Sequence, residues 1–304
     1  MIKSKKAFSL IEVIFVLVIL GIVASISSQI IVQVYENYII QKAVYKVNTK
    51  TELAVTQIVN RLNYQVENSA LAKDLNDNTN WVKLEDLNLV NDENLTVLEW
   101  IGYDNDSFSA GATPYWSGLA NYTTATNATI VTPGSSLGNV DTIIKNLSNN
   151  TVGLNGSGLQ HPALIFAPIT GGVETQDPSC MGLITNDITC IFPVSENNST
   201  SFTFEDLNAS IVTERYKLAW SAYSLVPKEN NSTHLYDLYL HYNYQPWEGE
   251  KYDSPNTSKK LLISNVSTFK FTKNGGILQI KLCATENIGQ DYNISTCKEK
   301  AIIR

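Results

Sequence analysis

Twenty-five residues near the amino terminus, Phe8 to Val32, are almost wholly apolar, and they follow a stretch, Met-Ile-Lys-Ser-Lys-Lys, that holds three cations. No other feature of the chain constrains its folding as strongly. At about 1.5 Å rise per residue a helix of this length reaches roughly 37 Å, enough to cross a ~30 Å hydrocarbon core with some tilt. Lys3, Lys5 and Lys6 favour a cytoplasmic amino terminus, so a single-pass inner-membrane topology is expected, with everything after Val32 in the periplasm. A secretory signal peptide or an uncleaved signal anchor has similar composition, and Ala24-Ser25 followed by Ser27-Ser28 would make a poor small-residue cleavage site. Glu12 separates the readings. A lone carboxylate inside an apolar run costs a few kcal/mol, roughly 3 on insertion scales, and neither a signal peptide nor a passive anchor has a use for it. Its presence points to a positive partner that arrives later.

The segment Lys5-Lys6-Ala7-Phe8-Ser9-Leu10-Ile11-Glu12-Val13 resembles the class III signal of type IV pilins and pseudopilins. The resemblance combines a short basic leader, a small residue, Phe, a Glu at fixed distance and a hydrophobic helix. It implies a membrane-embedded prepilin peptidase that cuts between Ala7 and Phe8 and methylates the new amino terminus, which makes Glu12 the fifth residue of the mature chain. It further implies that the Glu12 carboxylate pairs with the amino terminus of a neighbouring pilin subunit, neutralising two charges that are each costly in lipid. Filament growth would then use an inner-membrane assembly platform and a separate ATPase. Two departures stand out. Ala7 replaces the family's usual Gly, and Gln29 stands where many major pilins carry a helix-kinking Pro, which leans toward a minor or pseudopilin-type subunit. Arg61 and the run Leu261–Phe271 resemble, more faintly, the large minor pseudopilins of the J type.

Beyond the span, Tyr35 to Ala72 contains no Pro or Gly, and Val55, Val59, Leu62 and Val66 fall at helical spacing. The helix is therefore expected to continue as an amphipathic stalk over 33–72, after a leader at 1–7 and a transmembrane or filament-core helix at 8–32. A β-rich globular head would occupy 73–304. Asp74 to Asn80 reads as a breaker, and short β-type runs follow, separated by Gly, Asn, Ser and Pro. Strands are expected near 95–103, 163–169, 189–194, 201–204, 216–226, 235–244, 266–273 and 277–284. The last two form a hairpin, with Asn274-Gly275-Gly276 supplying positive φ at the turn. The polar stretch 104–160 is too weakly periodic to assign and reads either as a long loop region or as a small β subdomain. The fold class is α+β: a long N-terminal helix on a mostly antiparallel β head.

Charged residues make up only 17% of the chain, against an average of about 25%, and the net charge is -7. With no basic run after the first six residues, direct nucleic-acid binding is not expected. Three histidines, His161, His234 and His241, lack ligand-like spacing and are assigned structural or surface roles, so no metal and no cofactor is expected. Asp104-Asn105-Asp106 offers oxygen ligands for calcium but lacks the Gly and the distant Glu of an EF-hand, which favours a solvated turn. Four cysteines lie in the head, on the oxidising side. Pairing of sequence neighbours, Cys180 with Cys190 and Cys283 with Cys297, is the simplest of three connectivities, and a four-Cys zinc site would need thiolates that export disfavours.

Fifteen Asn-x-Ser/Thr triplets follow residue 90, about three times the number composition predicts. Five, at Asn94, Asn198, Asn208, Asn231 and Asn293, also carry an acid two positions before the Asn, where composition predicts about half of one. These resemble the extended acceptor sequence of bacterial oligosaccharyltransferases; turn-rich Asn/Ser/Thr composition is the competing explanation. Aromatics including Trp116, Tyr122, Trp220, Tyr223, Tyr236, Tyr239 and Trp247 are expected mostly in sheet core, although an exposed set would support a tip adhesin or cargo-binding role. No Gly-x-Ser-x-Gly elbow or phosphate-cradling loop marks an enzyme. The sequence thus reads as a non-enzymatic pilin-type subunit for secretion, DNA uptake or a surface pilus, with a signal-anchored periplasmic enzyme as the remaining alternative.

Overall fold

A single helix, α1 (Leu10–Leu62), opens the chain in the computed structural model, which describes residues 9–77, 79–87, 94–167, 177–206, 212–289 and 292–303. Gly21 is its one helix-weakening residue, and no Pro interrupts it, so the ladder of backbone hydrogen bonds runs unbroken for 53 residues. The helix ends ten residues before the expected position. No breaker stops it; instead β3 (Val97–Tyr103) captures its continuation, with Val66 N–H donating to the Ile101 carbonyl and Tyr103 N–H to the Tyr64 carbonyl, both at 2.8 Å. Asn68 then turns the chain at positive φ, and Leu71–Lys73 is strand β1, not helix.

The remaining elements, in order, are β2 (Trp81–Lys83), α2 (Asn105–Phe108) after β3, β4 (Thr129–Val131), α3 (Leu137–Leu147), β5 (Ala163–Phe166), β6 (Phe192–Asn198) and β7 (Ser201–Phe204). Long strands follow: β8 (Tyr216–Asn230), β9 (Leu235–Tyr244), β10 (Ser258–Asn274), β11 (Ile277–Ile288) and β12 (Tyr292–Ile303). Their order is β12-β11-β10-β9-β8-β5-β6-β7-β4, with β3 on β8, β1 on β3 and β2 on β1. The expected α+β class is therefore observed. The β10–β11 hairpin turns through Gly275 and Gly276 at φ 56° and 80°, which only Gly adopts at little cost.

The chain divides into two compact units, residues 1–49 with 285–296, and residues 50–284 with 297–304. In the first, α1 buries its first side chains, Ala43 and Val47, and Lys46 pairs with Glu286 at 2.5 Å. In the second, the end of α1 packs on the sheet. Its Ala54, Val55, Ile58 and Leu62 are buried, Arg61 lies 5.6 Å from the centre of the Tyr223 ring, and Glu52 pairs with Lys300 at 2.6 Å.

Strand β8 organises this unit. Ala219 pairs with Tyr103 of β3 and with Ala163 of β5, so those strands lie along opposite edges of β8. Alternation then sorts side chains between two cores. Leu164, Phe166, Tyr216, Leu218 and Trp220 join α3's Leu137, Val140 and Ile144, whereas Ala163, Ile165, Ala219 and Ala222 join Ile101, Tyr244 and Trp247. A strand buried on both faces reads as a continuous apolar run, as β5 does.

The stretch 104–160 is neither a loop region nor a β subdomain. It contains α3, whose Leu137, Val140 and Ile144 fall at i, i+3 and i+7; each fully buried side chain contributes about 2 kcal/mol. Asp141, on the same helix, is held by Lys145 Nζ at 2.7 Å and accepts from Leu154 N–H at 2.8 Å and Asn155 N–H at 3.1 Å, which fastens α3 to the next loop.

The disulfide Cys180–Cys190 closes a loop against the second core, and Cys283–Cys297 joins β11 to β12. A buried ion pair fastens the first of these loops. Lys73 and Glu99, only 6% and 1% exposed, form a salt bridge; Tyr244 donates to Glu99 Oε1 at 2.8 Å, and Lys73 Nζ also donates to the Leu183 carbonyl at 2.5 Å. Removing one partner strands a buried charge. Lys73→Met is therefore expected to destabilise the protein by about 3–5 kcal/mol, while the double change Lys73→Met with Glu99→Leu recovers most of the loss. Urea unfolding midpoints of the two variants check this, and equal losses would contradict it.

Candidate functional site

The first turn of α1 carries a reciprocal cap. Ser9 N–H donates to Glu12 Oε2 at 3.4 Å, and Glu12 N–H donates to Ser9 Oγ at 3.3 Å. Ser followed three residues later by Glu is a capping box, which satisfies amide groups that a helix start leaves without partners. The Ser-x-x-Glu spacing is legible in the sequence, and it gives Glu12 a local structural role beside its charge. A carboxylate at this position also lies at the positive end of the helix dipole.

From Leu10 to Val34 no side chain is covered. Leu10 is 82% exposed, and the Ile, Leu, Val and Phe residues that follow stay between 46% and 68%. This part of α1 is long and apolar enough to cross a membrane. In water such a surface would be a severe aggregation hazard, so it requires lipid or other helices around it. Ala7 and Phe8 lie outside the described residues.

Residues 2–28 match the sequence family described as the prokaryotic N-terminal methylation motif. The matched span contains Ala7, Phe8 and Glu12 and ends inside the uncovered part of α1. It supports a type IV pilin-like structural subunit, with the prepilin peptidase processing and pilin assembly that such a motif implies. No curated protein and no solved structure matches the chain.

The other residues singled out in the sequence are scattered over the head. Asp104 does not lie in a solvated turn. It is 1% exposed and caps α2, accepting from Ser107 N–H at 3.1 Å and from the Ser107 hydroxyl. Burial pushes its carboxyl up to about 7, with Asp106 adding to the rise and the Ser107 and Asp106 amides opposing it. Among the described residues no group of three His, Cys, Asp or Glu could hold a metal ion. Trp116, Trp220 and Trp247 are 1%, 5% and 4% exposed and lie in the core, as expected for most of the aromatics; Trp116 Nε1 donates to the Asp104 carbonyl and Trp247 Nε1 to the His161 carbonyl. Tyr122 and Tyr236 are exposed. Asn94, Asn198, Asn231 and Asn293 are exposed, and Asn208 lies outside the described residues.

His161 sits 3.1 Å from Glu248 and 4.0 Å from Glu205. The Glu248 hydrogen bond raises its pKa, partial burial opposes the rise, and the two carboxylate charges add to it. His241 donates from Nδ1 to the Tyr252 carbonyl at 2.6 Å, and burial lowers its pKa; His234 is an exposed turn residue at positive φ.

Both raised groups act in the same direction. Asp104 contributes stability that is fully present below about pH 4 and lost as pH rises to about 7. His161 contributes stability present below about pH 6.5 and lost as pH rises through its elevated folded value. His241, with its lowered pKa, gains stability as pH rises toward about 6.5 and opposes them, and with two groups against one the unfolding midpoint is expected to fall between pH 5 and pH 8. Asp104→Asn and Glu248→Gln should each flatten part of that slope in thermal melts across the range, and a wild-type slope left unchanged by both would contradict the assignment.

Proposed function

We propose that this chain is a minor pilin or pseudopilin subunit, cut by a prepilin peptidase between Ala7 and Phe8, methylated at Phe8, and assembled through α1 into a pilus or pseudopilus. The observation that carries this reading is the conjunction of the methylation motif over 2–28 with a helix whose first 25 described residues have no protein cover. In this reading residues 1–7 are the leader, 8–32 the membrane and filament-core segment, and α1 beyond it the stalk, while the rest forms a periplasmic head with oxidised cysteines. After cleavage the Ser9–Glu12 cap lies next to the new amino terminus, and the Glu12 carboxylate takes the cationic terminus of a neighbouring subunit as partner. Secretion and DNA uptake are the machines such a minor subunit would serve. Trp116 and Trp247 are buried and so lend no support to an adhesin role.

Mass spectrometry of the N-terminal peptide tests the proposal directly. An N-methylated Phe8 start that disappears in cells lacking the prepilin peptidase is expected, whereas a start at Met1 or near Ser27 overturns it. In the processed protein, Glu12→Ala should cut incorporation into sheared filament fractions by more than about tenfold, because the neighbour's charged terminus is left unpaired in an apolar core, while membrane insertion stays intact.

A further inference from the structure

The pentapeptide Glu-Asn-Asn-Ser-Thr occurs twice, at 196–200 and at 229–233. Both copies turn a hairpin, the first from β6 into β7 and the second from β8 into β9. Identical sequence adopts different geometry at the two places. In the first, Asn198 pairs with Ser201, so only Ser199 and Thr200 form the loop. Asn198 Oδ1 accepts from Thr200 N–H at 3.0 Å and from the Thr200 hydroxyl at 3.3 Å. The loop is also held from behind, since the carbonyls of Ser199 and Thr200 accept from Leu137 N–H at 3.0 Å and Thr132 N–H at 2.8 Å.

A side-chain amide is planar, so anchoring Oδ1 to the loop fixes Nδ2 on the opposite side. Asn198 is exposed, and among the described residues its Nδ2 makes no hydrogen bond. In the second copy Asn230 pairs with Leu235 and leaves a four-residue loop. There the preceding residue makes the side-chain turn, Asn230 Oδ1 accepting from Ser232 N–H at 3.1 Å. Asn231 is exposed but carries no such anchor, and the Thr233 hydroxyl two residues on is buried without a partner among the described residues.

We propose that Asn198 is an N-glycosylation acceptor and that Asn231, in the identical pentapeptide, is the poorer one. An Asn followed two residues later by Ser or Thr is the acceptor pattern, and recognition needs both the amide nitrogen and that hydroxyl within reach. At Asn198 the Thr200 hydroxyl holds the amide through Oδ1, so the side chain is already fixed beside that hydroxyl on an exposed hairpin tip, with its Nδ2 free among the described residues. The co-substrate is a lipid diphosphate-linked oligosaccharide. Asn198 Nδ2 forms a bond to the anomeric carbon as the carbon–oxygen bond to the diphosphate breaks, the Nδ2 proton passes to a base of the transferase, and the lipid diphosphate leaves. The proposal rests on the exported head described above.

Peptide mass spectrometry of the full chain purified from its own cells, with electron-transfer fragmentation, provides the test. The expected result is a saccharide mass increment on Asn198 at several times the occupancy of Asn231, lost in Asn198→Gln. An increment on Asn197 or on a hydroxyl, or occupancy of Asn231 equal to or above that of Asn198, overturns the geometric assignment. Unmodified Asn198 overturns the proposal outright, and the same digest locates the failure. Intact Cys180–Cys190 and Cys283–Cys297 bridges would place the fault in the acceptor assignment, and reduced cysteines would place it in the exported-head reading.

Discussion

The exposed apolar surface of α1 from Leu10 to Val34 is the constraint to which the rest of this chain answers. Among the described residues nothing covers it, and water solvates such a surface poorly. A lipid bilayer and a bundle of like helices are both adequate surroundings, so the same segment can leave one for the other without gaining or losing much hydrophobic burial. What distinguishes the two environments is charge. Glu12 is costly in either until it meets a cation, and in the filament we propose that cation is a neighbouring subunit's amino terminus. The Ser9 cap keeps that carboxylate at the helix start in the meantime.

Further along the same helix the solvent requirement reverses. Ala54, Val55, Ile58 and Leu62 are buried, and charged side chains at the margin of this packing, Glu52 and Arg61, find Lys300 and the Tyr223 ring. The head is then built outward from β8, whose two faces feed two separate cores. Because most apolar groups are already committed there, the irregular segments between strands are fastened by buried polar contacts instead. Asp141 gathers two loop amides and a lysine, Lys73 and Glu99 fasten the Cys180–Cys190 loop, and Asp104 caps the short helix beside Trp116. Such contacts stabilise modestly but specify position strongly, since a buried group left without its partner costs more than the contact gains.

Legibility in the sequence followed the strength of the local pattern. The membrane-length helix, the β10–β11 hairpin with its two glycines and strands such as β7 and β9 have periodicity or turn chemistry that no tertiary contact needs to supply. Strand β12 has almost no buried face: only Ile302 is buried along twelve residues, so no apolar alternation announces it in the sequence. Helix α3 is hard to read locally although Leu137, Val140 and Ile144 carry the right spacing, because a Pro-Gly-Ser-Ser run before it and two Asn after it dominate the window. The end of α1 has no local signal, since nothing in the sequence stops it; β3 competes for the same backbone groups and wins.

The sequence by itself determined the apolar amino-terminal helix with Glu12 inside it, because solvent and charge act on these residues whatever the rest of the chain does. It also determined the α+β class through the shift from helical to strand periodicity. Only the tertiary structure decided which aromatics are surface and which are core, that burial pushes the Asp104 carboxyl up to about 7, and why two identical Glu-Asn-Asn-Ser-Thr segments present their asparagines differently. Burial and hydrogen bonding at a given residue depend on which strands and loops arrive beside it from distant parts of the chain, and a local pattern contains no record of those arrivals.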